Sequence, residues 1–207
     1  MDYKIFIENI LKENLSDLFS EIRLGFEKES MRVYKSGISQ SEHPTKLGAS
    51  ICNKFITTDF SEAQLELITP PLLGNINSLL MLENIHHFVT RNLEEEYLWP
   101  LSMPPTIISQ DDIPVARFGS SHEGIFKHTY RLGLANRYGK SMQAISGFHF
   151  NYSLPETIWS FLDNNQKAEI KYDRSEVYLN ILRNIQKMNW LLIYLFGASP
   201  AIDKSHI

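Results

Sequence analysis

The sequence predicts an α+β protein in which helices pack against a largely antiparallel sheet. Helix-period and strand-period segments follow one another with strands that are not sequence neighbours, rather than in the regular alternation of a parallel sheet. Three extended segments each place apolar residues on one side and Glu or His on the other. The chain has 207 residues, of which 43% are hydrophobic and 21% charged, enough for one sizeable core and too apolar for disorder.

Taken in order, "MDYKIFIENILKENL" interleaves acids, amides and apolar residues at helical spacing. Residues 3–20 therefore predict an amphipathic helix, with Phe6, Ile10, Leu11 and Leu18 turned inward. A secretory signal needs a basic start and an unbroken apolar run, so a cytoplasmic protein is expected. "RLGFEKESMRV", residues 23–33, reads as a strand. Its alternation puts Arg23, Gly25, Glu27 and Glu29 on one face and Ile22, Leu24 and Phe26 on the other. The two Glu then lie roughly 7 Å apart, close enough to repel and to hold each other's pKa up. A multivalent cation resolves this, and so do Lys and Arg side chains in open solvent. The segment alone leaves both open, with the solvated face the commoner case.

"YKSGISQSEHP" is turn chemistry ended by Pro44. "FITTDF" and "EAQLELIT" are extended and stop at Pro70 and Pro71. The second of these places Glu62, Gln64 and Glu66 on one face and Ala63, Leu65 and Leu67 on the other. Residues 75–96 predict a helix with Leu79, Leu82, Ile85 and Val89 along one stripe. The "EEE" near its end opposes the macrodipole and is expected to be solvated and frayed. "WPLSMPP" is a Pro-bounded loop, residues 121–141 a further helix, and "SGFHFNYSLP" a strand. That strand sets Phe148, Phe150 and Tyr152 against His149, Asn151 and Ser153. Residues 167–196 are expected to be mostly helical. "MNWLLIYLFGASPAI" is too short to span a membrane and is broken by Asn189 and a Gly/Ser/Pro run, so it predicts a buried helix end.

A formal charge of -4 without any Lys/Arg block argues against nucleic acid or an anionic membrane as partner. The single cysteine, Cys52, has no internal disulfide partner and fits a reducing compartment; with no nearby base it predicts a core residue rather than a nucleophile. Glu83, His86 and His87 have metal-like helical spacing but lack a further ligand, so a surface helix with a half-buried His is the expectation. "GKS" at 139–141 lacks the Gly-rich loop of a phosphate-binding strand-to-helix turn. Tyr130, Arg131 and Arg137 lie on or just beyond one helix. Arginine forks suit carboxylates and phosphates, with surface ion pairs as the default.

If the three alternating strands are neighbours, Glu27, Glu29, Glu66 and His149 converge on one surface with Asp59 nearby. A carboxylate-rich set with one imidazole suits Mg²⁺ or Mn²⁺. Ions held in this way clamp phosphate oxygens. The alternative is a solvated sheet face with a hydrogen-bonded His, and spacing leaves the two level.

"GFEKESMRV", "FITTDFSEAQLELITP", "WPLSMP", "YRLGLANRYG", "QAISGFHFNYSLP" and "YLFGASPA", in this order and spacing, resemble the proteobacterial type of glutamate–cysteine ligase over residues 20–202. The resemblance implies a glutamine synthetase-like fold whose curved antiparallel sheet walls a funnel-shaped site. It also implies the first step of glutathione synthesis, with ATP, L-glutamate and L-cysteine as substrates and Mg²⁺, or Mn²⁺, as the metal. Glu27 and Glu29 match the family's paired metal-binding acids, Glu66 the acid before "ITP", and His149 the imidazole of a second metal position. Glu27, Glu29 and Glu66 are thereby the expected catalytic acids. Tyr130 matches a tyrosine of the amino-acid pocket, Arg131 is its anion-binding neighbour, and Asp59 is expected to support the ligands or the substrate. Family chains continue well beyond "GASPA". Residues 1–207 are accordingly expected to be the N-terminal part of one catalytic domain, and to form no product alone. Two alternatives stay open: a glutamate-using ligase with another amine acceptor, and an inactive remnant. A metal-dependent phosphohydrolase is disfavoured by Tyr130 and Arg131.

Overall fold

The computed structural model describes residues 8, 12, 20–35, 37–164, 173–197 and 204–206. The helix expected over residues 3–20 lies outside them apart from residues 8, 12 and 20, which are helical. The chain divides into two compact units, Arg23–Tyr152 with Ile202–Ile207, and Met1–Ile22 with Ser153–Ala201.

The first unit holds the sheet. Its strands are β1 (Arg23–Tyr34), β2 (Gly37–Ile38), β3 (Ile56–Thr58), β4 (Gln64–Ile68), β5 (Leu72–Leu73), β6 (Tyr97–Leu98) and β7 (Phe148–Ser153), and its helices are α1 (Asn75–Asn92), α2 (His122–Tyr138) and α3 (Lys140–Gln143). β1 is the hub: it pairs antiparallel with β2, β4, β5 and β6 and also pairs with β7, while β3 closes against β4. The α+β expectation and the antiparallel sheet both hold. Pro70 and Pro71 separate β4 from β5, as residues without a ladder N–H should.

Alternation divides the sheet into two faces. Phe26 from β1 and Leu65 and Leu67 from β4 join Leu82, Ile85 and Val89 of α1 in one core. Burying a side chain such as Leu65, fully enclosed here, contributes about 1.5–3 kcal/mol. On the other face, Glu27 and Glu29 are followed at the same parity by Met31, which is fully buried in a second core with Ile38, Phe60, Ala63, Ile113 and Ala144. The acids thus occupy one half of a face whose other half is sealed. α2 is capped by the Ser121 hydroxyl, which accepts from Gly124 N. Gly124 admits no Cβ, since one would sit 2.4 Å from the Phe118 carbonyl.

Three expectations change in this unit. α1 ends at Asn92, and Glu96 beyond it is no frayed end: its carboxylate accepts from Arg32 Nη1 at 2.6 Å and from the Ser39 hydroxyl. Arg32 is wholly buried, and a buried guanidinium requires that counter-charge. Glu62 does not share the face of Gln64 and Glu66. It precedes β4, where its carboxylate accepts the backbone N–H groups of His43 at 2.9 Å and Arg117 at 2.6 Å. Cys52 is exposed rather than core, because it falls in a turn between extended segments.

The second unit contains α4 (Glu156–Asn164) and α5 (Arg174–Phe196). Asp173 caps α5 by accepting from Ser175 N, and the Trp159 and Tyr178 rings meet tilted at 57° with centroids 5.6 Å apart. Of the stretch expected to be helical, residues 167–172 lie outside the described residues. The expected buried helix end is overturned: Trp190, Tyr194 and Phe196 are 67%, 80% and 79% exposed. Apolar side chains ring the end of α5, and among the described residues nothing covers them.

Candidate active site

Antiparallel register, not sequence proximity, assembles the acids. Glu29 on β1 lies directly opposite Glu66 on β4, and Glu66 lies opposite Thr57 on β3. β7 adds His149 and Asn151, and Glu29 N donates to the Gly147 carbonyl just before that strand at 3.0 Å. Donor atoms of Glu27, Glu66 and His149 all fall within 4.8 Å of one another. His149 Nδ1 is 3.1 Å from Glu27 Oε2, and Asn151 Nδ2 donates to Glu27 Oε1 at 2.9 Å.

Glu29 faces the same side but stands apart from this triad. Its Oε2 accepts the Gly147 N–H at 2.6 Å and the Gln64 amide at 3.2 Å. A Cβ on Gly147 would lie 3.1 Å from His149 Nε2 and 3.6 Å from Glu29 Oε2, so the glycine lets strand and carboxylate approach. Asp59 follows β3 and adds its charge to both Glu29 and Glu66 without joining the triad.

Like charges opposed across a sheet are unfavourable unless neutralised. Burial, reinforced by Asp59, Glu27 and Glu29, pushes the Glu66 carboxyl up to about 7. Burial also raises Glu29, against the opposing pull of the Gly147 N–H. The hydrogen bond to Glu27 raises the His149 imidazole, with Glu29 and Glu66 adding to it. This set fits a hard divalent cation: oxygen donors with one imidazole, carrying more negative charge than its own residues compensate.

Arg131 on α2 is no surface ion pair. Its Nε donates to the Asp59 carbonyl and Nη1 to the Lys127 carbonyl at 3.1 Å, and its guanidinium lies 4.6 Å from the Phe118 ring centroid. Burial lowers its pKa while Asp59 and Glu66 oppose that shift, which sets its charge in the field of the acid cluster. Tyr130 beside it is exposed. Glu83, His86 and His87 do not assemble: Glu83 pairs with His87 at 3.7 Å, while the half-buried His86 meets Lys28 Nζ at 3.0 Å. A cavity of about 590 Å³ lies elsewhere against Arg32, Glu42 and Glu96, and among the described residues no triad of donors converges there.

Gly147, Gln64 and Asn151 were not among the expected site residues. Asn151 was legible, two positions from His149 on the same strand face. Gly147 acts through its backbone and carried no side-chain signal, whereas Gln64 stood on the polar face of its strand beside Glu66 with nothing local to mark a role.

A model of the family described as glutamate-cysteine ligase matches residues 7–207. The glutamate–cysteine ligase of Azotobacter vinelandii is 46% identical over 192 residues, covering 88% of this chain and 36% of the relative. That of Pseudomonas entomophila is 46% identical over 203 residues, covering 96% of this chain and 38% of the relative. Among solved structures, glutamate–cysteine ligase from Francisella tularensis in complex with AMP superposes with a TM-score of 0.84 at 38% identity, over 90% of this chain and 37% of that one. A bifunctional glutathione synthetase from Pasteurella multocida gives 0.83 at 36% identity, over 93% of this chain and 25% of that one. The chain spans well under half the length of the curated relatives it matches.

Proposed function

The chain belongs to the glutamate–cysteine ligase family, and from that premise we propose that it forms the metal-holding wall of a site that joins the γ-carboxylate of L-glutamate to the amine of L-cysteine using ATP. The observation that carries this reading is the convergence of Glu27, Glu66 and His149, with Glu29 beside them, from three strands, β1, β4 and β7. A carboxylate is a poor electrophile until one oxygen becomes a leaving group. Transfer of the terminal phosphoryl of ATP to the γ-carboxylate releases ADP and gives an acyl phosphate. The cysteine amine then attacks the acyl carbon, loses a proton and expels phosphate.

A divalent cation bound by Glu27, Glu29, Glu66 and His149, Mg²⁺ or Mn²⁺ by donor type, supplies positive charge against the phosphate oxygens. The chain's own residues hold that arrangement. Asn151 and His149 fix both oxygens of Glu27, and the Gly147 N–H fixes Glu29. Arg131 is anchored through Nε and Nη1, leaving Nη2 to receive an anionic group of substrate. Exposed Tyr130 contributes to the amino-acid pocket, and Asp59 holds Arg131 through its carbonyl. AMP in the Francisella relative supports an adenine nucleotide. We place the reaction in the cytoplasm, where ATP and reduced cysteine coexist; among the described residues no helix is long and apolar enough to cross a membrane.

The test is a chimaera in which this chain replaces the matching portion of the Azotobacter ligase. Glutamate, cysteine and Mg-ATP should yield γ-glutamylcysteine with one ADP per dipeptide. A folded chimaera that forms ADP without dipeptide, or accepts only a different amine, overturns the assignment.

A further inference from the structure

Gln64 is a fully buried amide on the acid face of β4, opposite Met31 and diagonal to Glu29. Its neighbours Met31 and Ala63 are fully buried and apolar, so packing alone calls for an apolar side chain here. A buried amide is retained without loss only if its donors and acceptor are satisfied. Nε2 donates to Glu29 Oε2 at 3.2 Å and to the Ile145 carbonyl at 3.4 Å, while Oε1 accepts Ser61 N at 3.4 Å. Two acceptors on one side and a donor on the other fix the amide in one orientation. Glu29 Oε2 therefore receives two N–H groups, from Gln64 and from Gly147, the latter at 2.6 Å.

Resting on the metal-site reading above, we propose that Gln64 is a positioning residue: with the Gly147 N–H it occupies Oε2 of Glu29 and thereby presents Oε1 to the divalent cation. Neutral donors suit this task. They stabilise the carboxylate and fix its plane without bringing a positive charge that competes with the ion.

The experiment uses the 207-residue chain and Mn²⁺ titrated alone, followed by the loss of the free-ion electron paramagnetic resonance signal. Gln64→Leu keeps the volume and removes the amide. It should weaken Mn²⁺ binding about tenfold, the size found when groups behind metal ligands are removed, while the metal-free melting temperature and far-ultraviolet circular dichroism stay at wild-type values. Gln64→Asn, which keeps an amide but shortens it, should fall between the two. Glu66→Gln separates the two levels of inference. If it abolishes binding while Gln64→Leu binds like wild type, the metal site stands and the role of Gln64 is overturned. A wild-type chain that takes up no Mn²⁺ overturns both. Should Gln64→Leu not fold, the crystal structure of the wild-type chain with Mn²⁺ decides: coordination through Oε1 supports the proposal, and coordination through Oε2 sinks it.

Discussion

Glu66 sits half-buried opposite Glu29, and its raised pKa fixes the sign of a pH effect. Between its ordinary value of 4.5 and about 7, the native chain holds a proton that the unfolded chain has released. Stability of the metal-free chain should therefore fall as pH rises through that window. Glu29 and His149, both raised, contribute in the same direction, His149 above its ordinary 6.5. Melting curves between pH 4.5 and 7.5 should show this decline, Glu66→Gln should flatten it, and saturating Mg²⁺ should abolish it. A melting temperature that climbs with pH in the absence of metal contradicts the assignment. Mg²⁺ binding should in turn tighten with pH and release protons, which a weakly buffered titration reads directly. In the chimaera, Glu29→Gln removes a charge at constant volume and should lower turnover about 100-fold or more. Near-normal turnover at high Mg²⁺ excludes Glu29 as a ligand.

Two elements show how secondary structure sets the site. β7 brings His149 and Asn151 to Glu27 because Gly147 lets the chain pass close to β1. Gly147→Ala should push His149 aside by a few tenths of an ångström and weaken Mn²⁺ binding about tenfold without unfolding the chain. Unchanged affinity means the imidazole is not a ligand. Along β1, Arg32 ties the strand to the segment after α1 through Glu96, and to the carbonyls of Ser41, Glu42 and Glu62. Removing one partner of a buried pair strands the other, so Arg32→Ala should cost about 3–5 kcal/mol in urea unfolding. A loss below about 1 kcal/mol would show the pair to be dispensable. The alternation of β1, β4 and β7 was legible in the sequence because a strand's period is two whatever it pairs with. The Arg32–Glu96 bond was not, since it joins residues 64 apart and each reads locally as an ordinary surface charge.

For the whole molecule, the exposed apolar side chains dominate. Leu192, Tyr194 and Phe196 on α5 and Phe148 and Phe150 on β7 present large apolar surfaces to solvent, although both β7 rings also lie within 5.5 Å of Phe26. Exposed apolar side chains in such numbers favour association. The chain alone should scatter light as oligomers at micromolar concentration, and Leu192→Lys with Phe196→Glu should reduce that without altering Mn²⁺ uptake. A stable monomer in the unmodified chain contradicts the expectation.

Sequence alone determined the fold class, the two-faced character of each strand and the family, because these follow from local periodicity and from motifs in register. It also placed Glu27, Glu29, Glu66 and His149 on polar strand faces. Only tertiary structure decided which of them meet: register sets Glu66 against Glu29, while the 4.8 Å cluster takes Glu27, Glu66 and His149. It alone converted Glu96 from a solvated acid into a bonded one, took Glu62 off the face of Gln64 and Glu66, and turned the expected buried helix end into an exposed one. The physical reason is the same throughout. A side chain's direction is set by its own backbone, whereas its partners and its exposure depend on segments that sequence distance does not reveal.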